Sequence, residues 1–240
     1  MIFDTYFDKT LQVLQHIRST QQDAIRQAAQ MAQETIEKGG IIYIFGCGHS
    51  HLIALDNFYR AGGLCNVCPI LDGDLMLHDG AAKSSRMEKM SGLAEPVLER
   101  YCLTEKDCLF VISTSGKNAV PVEMAQAAVQ RGIPTAAVVS GAYFADPSAM
   151  PKLYECVPVY IDNCVPHGDA VMELPGCDAP MGSVSTVASA FIMQSVLLEA
   201  AAGASAKGVK PPIYKSGNVA GGAEFNKALI REYMPRIKHL

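Results

Sequence analysis

The stretch that decides the fold is Ile41-Ile42-Tyr43-Ile44-Phe45-Gly46-Cys47-Gly48-His49-Ser50, in which five apolar residues lead into a loop of small and polar residues. A continuous apolar run between glycines is typical of a strand buried on both faces. The pattern recurs over residues 108–118, which read CLFVISTSGKN. Helical spacing follows each stretch, and a further apolar run follows each helix, at 66–71 and 135–140. These two units predict a three-layer α/β/α fold with a doubly wound parallel sheet.

The rest of the chain predicts helices on either side of this sheet. Residues 5–38 carry an apolar stripe of helical spacing that Gly39-Gly40 ends, as one helix or two. Further helices are expected at 91–101, 184–202 and 223–239, and an edge strand at 154–161, where Pro158 cannot donate to a ladder. We therefore expect an N-terminal helical arm at 1–38, a ligand-binding domain at 39–202, and an extension at 203–240 that packs on this domain or on a partner subunit.

Composition narrows the classes of partner. Hydrophobic residues make up 49% of the 240 and charged residues 18%, with a formal net charge of −4. Such a chain fills a core and offers no basic surface for a nucleic-acid backbone. The longest apolar segment, 187–202, is interrupted by Ser189, Gln194, Ser195 and Glu199, so we expect no membrane partner.

The N-terminal residues and the cysteines both indicate a cytoplasmic protein. Asp4 and Asp8 stand where a secretory signal would have a basic region. The eight cysteines are then expected to be reduced and mostly structural. Cys65 and Cys68 have CxxC spacing but no second ligand pair, so no metal site is predicted.

Two polar loops, at 46–50 and 113–118, follow the two central strands. In an open parallel sheet, ligands bind outside the carboxyl ends of the strands, where helices begin. A helix N-terminus has unpaired N–H groups and a partial positive charge, so each loop can hold an anion. In the second loop, Ser113, Thr114 and Ser115 offer hydroxyls, Gly116 permits close approach, and Asn118 can cap the helix or donate its amide. Helix capping and turn formation are the alternative role for such residues.

Two other phosphate motifs fit poorly. A P-loop needs a glycine six residues before Lys117, where this chain has Val111, and Ser or Thr after it, where it has Asn118. In a dinucleotide GxGxxG motif, the third glycine would stand at His51. Asp72 could still bind a ribose, so nucleotide binding stays an alternative.

The loops Gly46-Cys47-Gly48-His49-Ser50 and Ser113-Thr114-Ser115-Gly116-Lys117-Asn118 resemble the two ligand loops of the SIS (sugar isomerase) domain, over residues 5–202. The chain is most similar to a bacterial group with the GHS loop and a Gly-Asn-x-x-Gly-Gly element, here residues 217–222. The resemblance implies a flavodoxin-like sheet, a sugar-phosphate ligand, no cofactor, and a homodimer or homotetramer. It also implies a phosphosugar site made of Cys47, Gly48, Ser50, Ser113, Thr114, Ser115, Gly116 and Asn118, in which Cys47 acts through its backbone.

Aldose–ketose isomerisation moves a proton between adjacent carbons, so it needs a base and a second group for the hydroxyl protons. His49 is the first candidate, because it lies in a ligand loop, and a packing role is its alternative. The segment 72–90 shows little periodicity and can form a lid. In this segment, Glu88 is a candidate base and His78 a candidate acid. The alternative is that the segment is a solvated charged loop.

The match to characterised isomerases is partial. Phosphoheptose isomerases have a glutamate where Arg60 stands here, and they use a histidine on the late helix, which has none at 184–202. We therefore expect binding of a phosphorylated sugar, such as an amino-sugar derivative, with aldose–ketose isomerisation as the activity. The alternatives are a regulatory binding protein without turnover and a sugar-phosphate lyase or etherase.

Overall fold

The computed structural model describes residues 1–240. Eight α-helices are present: α1 (Ile2–Thr20), α2 (Gln22–Glu37), α3 (His51–Asn57), α4 (Ala81–Met87), α5 (Ala94–Leu98), α6 (Ala119–Gln130), α7 (Ser185–Ala206) and α8 (Gly222–Tyr233). The strands are β1 (Ile42–Gly46), β2 (Val67–Ile70), β3 (Cys108–Ile112), β4 (Thr135–Val139), β5 (Val159–Asp162), β6 (Ala170–Met172) and β7 (Met181–Ser183).

Strands β1 to β5 form one parallel sheet in the order β2-β1-β3-β4-β5. This is the flavodoxin-like order, so the predicted fold class is confirmed. The order reverses between β1 and β3, whose last paired residues are Gly46 and Ile112. The two polar loops therefore leave the sheet side by side.

Helices cover both faces of the sheet, as its continuous apolar strands require. Helices α2, α3 and α7 bury apolar residues on one face, and α5, α6 and the C-terminal residues do so on the other. The N-terminal segment forms two helices that meet at Gln21, and α2 belongs to the same core as α7.

Helix α7 is long and apolar enough to meet a simple test for a membrane span. Nine of its residues are buried within the domain, against α2 and α3. It is therefore a core helix, as its interrupting polar residues suggested.

The C-terminal segment packs on its own chain. The Arg236 guanidinium bonds both oxygens of the fully buried Asp107 carboxylate, at 2.7 and 2.8 Å. Asp107 also accepts from the backbone N–H groups of Ile41 and Thr104. Ile237, next to Arg236, is buried in the core. The division into arm, domain and extension stays a prediction.

Several elements differ from the sequence-based expectation. The segment 72–90 contains α4, whose mostly polar, exposed residues gave no apolar period. The Pro- and Gly-rich segment 163–182 contributes to an antiparallel hairpin of β6 and β7. Strand β5 lies at the sheet edge, as Pro158 predicted, but begins only at Val159. Helix α8 ends at Tyr233, before the expected end of its helical pattern.

Candidate functional site

A small polar cleft lies where the two loops meet the start of α7. It is lined by residues of the first loop and α3 (His49, Ser50, Ile53), of the second loop (Thr114), and of α7 (Ser185, Thr186, Ser189). The structure thus brings together His49, Ser50 and Thr114, three residues singled out from the sequence. The other four lining residues are Ile53 on α3 and Ser185, Thr186 and Ser189 on α7.

The first loop turns back tightly on the end of β1. A Cβ on Gly46 would lie 2.6 Å from the carbonyl carbon and oxygen of Ser50, so only glycine fits there. Cys47 is buried, and burial raises the pKa of its thiol, which favours a backbone role. The backbone N–H groups of Cys47, Gly48 and His49 have no acceptor in the protein. They remain available to a ligand.

His51, at the start of α3, stabilises this turn. Its ring is almost fully buried, and Nδ1 bonds the Gly48 carbonyl oxygen. His49 by contrast is exposed at the cleft.

Two hydrogen bonds of Gly116 fix the shape of the second loop. Gly116 has φ +61°, and its N–H donates to Ser113 Oγ at 3.3 Å. Its carbonyl accepts from Leu153 N–H at 2.8 Å. Five backbone N–H groups of the segment have no acceptor in the protein, those of Thr114, Ser115, Lys117, Asn118 and Ala119. Successive unpaired N–H groups form a concave site that favours anions.

The start of α6 supplies fewer donors than expected from the sequence. Val120 N–H is taken by the Glu88 carbonyl oxygen at 3.0 Å, and Pro121 has no N–H. The Asn118 side chain makes no capping hydrogen bond. The anion donors therefore belong mainly to the loop itself, since little of the helix N-terminus is free.

The third wall of the cleft, the start of α7, was not predicted. Asp169 fixes it, because its carboxylate accepts from Val184 N–H and from both the N–H and the hydroxyl of Ser185. The fully buried Asn163 amide lies 3.4 Å from both Thr114 Oγ1 and Ser189 Oγ, so it ties the second loop to α7. Neither residue forms a motif with the loops in the sequence.

The three candidate catalytic residues lie in different places. His49 lines the cleft. Glu88 is half-buried beside Asn118; burial raises the pKa of its carboxyl group, and Lys89 and the Asn118 amide oppose this effect. His78 is exposed, with its ring centroid 6.2 Å from that of His51, and does not line the cleft.

A charged cluster borders the second loop. Lys117 Nζ lies 2.7 Å from Asp146 Oδ2, which His167 Nε2 approaches to 3.2 Å. The His167 ring stacks on Tyr143 with a centroid distance of 4.4 Å. Lys117 and His167 together hold the pKa of the Asp146 carboxyl below its ordinary value.

Other residues considered from the sequence have local partners. Arg60 pairs with Asp56 on the preceding turn. Cys65 contacts the Tyr214 hydroxyl at 3.0 Å, whereas Cys68 packs into the core on the α5 and α6 side of the sheet. No group of three His, Cys, Asp or Glu side chains is arranged to share a metal ion.

Comparison with known proteins relates this arrangement to a family. The SIS domain matches residues 5–140. A UPF0309 protein from Geobacillus kaustophilus (strain HTA426) is 39% identical over 240 residues, covering 98% of this chain and 96% of the relative. A UPF0309 protein from Brucella anthropi is also 39% identical over 240 residues, covering 100% of this chain and 99% of the relative.

Solved structures share the fold at low sequence identity. A phosphoheptose isomerase from Neisseria gonorrhoeae has a TM-score of 0.58 at 16% identity, covering 82% of this chain and 96% of its own. The NanR protein of Vibrio vulnificus has a TM-score of 0.53 at 13% identity, covering 98% and 69%. The sugar isomerase domain of an RpiR transcription factor from Sphaerobacter thermophilus has a TM-score of 0.52 at 15% identity, covering 97% of both chains. From the matched sequence and the shared fold, the chain belongs to the SIS domain family.

Proposed function

We propose that the protein binds a phosphorylated sugar in the cleft, with the phosphate on the second loop. The observation that carries this proposal is the set of five unpaired N–H groups between Thr114 and Ala119, all but that of Gly116, beside the hydroxyls of Ser113, Thr114 and Ser115. A phosphate group has several strong acceptor oxygens and carries close to two negative charges at neutral pH, which such donors match.

The cleft is small, and all but one of its seven lining side chains are polar, so they can pair with the hydroxyls of a sugar. His49, Ser50 and Thr186 line it, as does Ser185, whose hydroxyl donates to Asp169, and the first loop adds its unpaired N–H groups. Hydroxyl groups both donate and accept, so they pair with the hydroxyls of a sugar ring or chain. The NanR structure with the same fold is a complex with ManNAc-6P. This supports an amino-sugar derivative as the ligand class.

For the activity, we propose aldose–ketose isomerisation. A base removes the proton from carbon 2 of the aldose and returns it to carbon 1, while a second group carries a proton from the carbon 2 oxygen to the carbon 1 oxygen. His49 is the proposed base, because it lines the cleft. Glu88 is the proposed second group, because it lies beside Asn118 at the end of the second loop and burial raises the pKa of its carboxyl group, which favours its holding a proton. His78 stays a prediction as an acid.

A second candidate function is phosphosugar sensing without turnover. Of the seven side chains that line the cleft, only His49 carries an acid–base group. A cleft rich in hydroxyls and poor in acids and bases suits binding better than proton transfer. Isomerase and sensor differ in whether the bound sugar loses a carbon-bound proton.

The binding proposal is tested with Ser113→Ala combined with Ser115→Ala. We expect the double variant to lose the thermal stabilisation that hexose 6-phosphates and amino-sugar 6-phosphates give to the wild type. Ser205→Ala, at the exposed end of α7, is the matched control and should respond like the wild type. An unchanged response in the double variant would refute the site.

The activity is tested by incubating each sugar phosphate in deuterium oxide and following carbon-bound protons by NMR. An isomerase exchanges the proton at carbon 2, and His49→Gln should abolish the exchange while leaving binding within about twofold. Binding without exchange for every sugar phosphate would favour the sensor.

We also propose that the protein is a homodimer or homotetramer. Phe3 and Phe7 on α1 and Phe191 and Leu198 on α7 are exposed, and exposed apolar surface of this kind marks association sites. Sedimentation velocity tests this proposal, and a monomer at all concentrations would refute it.

A further inference from the structure

The second loop offers a phosphate ligand many hydrogen-bond donors but little positive charge. Carboxylates lie near it: Asp146 is paired with Lys117, and Glu88 lies beside Asn118. The loop contains a single cation, Lys117. Lys117 is therefore the one side chain of the loop that can offset the charge of a phosphate dianion, because neutral hydroxyl and amide donors supply no compensating charge.

The Lys117 side chain is already paired with a carboxylate of the protein, so it is not free to bind a phosphate. Its backbone N–H belongs to the unpaired set of the loop, but its ammonium group bonds the Asp146 carboxylate at 2.7 Å. Nζ also lies 5.7 Å from the Tyr143 ring centroid, within the range of a weak cation–π interaction. The Lys117 and Asp146 side chains are 36% and 20% exposed, so water reaches this pair.

Asp146 does not depend on Lys117 alone. His167 Nε2 contacts the same carboxylate oxygen, and the stack on Tyr143 holds the His167 ring in place. The carboxylate therefore keeps a partner and solvent contact when Lys117 leaves. A half-exposed lysine changes rotamer within nanoseconds, so exchange of Lys117 between two anions is fast.

From these contacts we infer that Lys117 is the charged ligand of the phosphate and that Asp146 competes with the phosphate for it, which sets the affinity of the site. This inference rests on the proposed phosphosugar function. In the free protein, Lys117 bonds Asp146; in the complex, its ammonium group moves to the phosphate and Asp146 keeps His167. Asp146 is a specificity-determining residue in this scheme, because only a ligand with enough negative charge displaces it.

The test is calorimetric titration of inorganic phosphate and of glucosamine 6-phosphate into four proteins: wild type, Asp146→Asn, Lys117→Gln and the double variant. Asp146→Asn keeps the side-chain shape but removes the competing charge, and we expect binding about two- to fivefold tighter, the range of one solvated ion pair. Lys117→Gln should weaken binding about tenfold. In the Lys117→Gln background, Asp146→Asn should change affinity much less than it does in the wild type, since there is no lysine left to release.

Asp23→Asn is the matched control, because it also breaks an exposed carboxylate–cation pair, with Arg26 on α2. It should leave both affinities unchanged. The inference is overturned if Asp146→Asn weakens or does not alter binding in a wild type that does bind, or if its effect persists without Lys117. A wild type that binds neither ligand nor any other sugar phosphate refutes the proposed function, and this inference with it. Unfolding midpoints of all variants establish that each remains folded during the titration.

Discussion

Asn163→Ala tests how the cleft is held together. The Asn163 side chain is fully buried, and its amide nitrogen contacts Thr114 Oγ1 and Ser189 Oγ at 3.4 Å. Its amide oxygen accepts from Val165 N–H at 3.3 Å. Alanine removes all three contacts while keeping the bond of the Asn163 backbone N–H to β4. The second loop and α7 then lose their direct polar connection.

The expected loss of stability follows from these contacts. Val165 is buried, so its N–H is left without a partner, which costs about 1–3 kcal/mol. The two amide contacts are long, so we assign each the lower end of the usual range, about 0.5 kcal/mol. The free energy of unfolding should fall by about 2–4 kcal/mol, or about 4–16 °C in Tm for a chain of this length. Sugar-phosphate binding should weaken about fivefold, because Thr114 is no longer fixed.

Urea unfolding and calorimetric titration measure the two effects. Asn57→Ala is the matched control: Asn57 is also buried, its amide donates to Ile53 O at 2.8 Å, and it does not line the cleft. Asn57→Ala should destabilise the protein without changing ligand affinity. The account of the cleft is refuted if Asn163→Ala unfolds within about 0.5 kcal/mol of the wild type, or if both variants bind the ligand alike.

Three further variants test separate parts of the structure. Gly46→Ala places a Cβ 2.6 Å from the Ser50 carbonyl, and we expect a loss of about 3 kcal/mol or more in urea unfolding; a loss below about 1 kcal/mol would contradict the tight turn. Arg236→Ala leaves the buried Asp107 carboxylate without its cation. Because Arg236 is itself one-third exposed, we expect the free energy of unfolding to fall by about 2–3 kcal/mol. Wild-type stability in this variant would show that the C-terminal segment is not anchored by this pair. Burial raises the pKa of the Glu88 carboxyl group above its unfolded value, so the native state holds this proton more tightly than the unfolded state does. The free energy of unfolding therefore falls as pH rises from about 4.5 through the folded pKa. Glu88→Gln should reduce that fall, and an unchanged pH profile of unfolding would contradict the burial of Glu88.

The sheet and the position of its two polar loops could be predicted because their signals are local. The apolar runs at 41–45 and 108–112 identify buried strands, and the helical spacing after each loop identifies crossovers. Parallel pairing then places both loops at one edge. The sequence alone therefore predicts that His49, Ser50 and Thr114 lie close together, and in the structure they line one cleft.

The third wall could not be predicted, because its residues are linked only in space. Asn163 and Asp169 lie in a Pro- and Gly-rich segment without periodicity, and Ser185 resembles any residue at the start of a helix. Asn163 contacts Thr114, 49 positions earlier, and Asp169 contacts Ser185, 16 positions later; only the folded chain reveals these contacts. The loss of donors at the start of α6 has the same origin, since the Glu88 carbonyl reaches Val120 across the fold.

The central claim is that a sugar phosphate binds to the unpaired N–H groups of the second loop, and amide NMR measures this directly. Titration of glucosamine 6-phosphate into the ¹⁵N-labelled protein should shift the amide resonances of Thr114, Ser115, Lys117 and Asn118 downfield, since each gains a charged acceptor. Amides at the far end of the sheet, such as those of Ile41 and Thr104, already donate to Asp107 and should not move. Binding that leaves the second-loop amides unshifted while others respond would contradict the account.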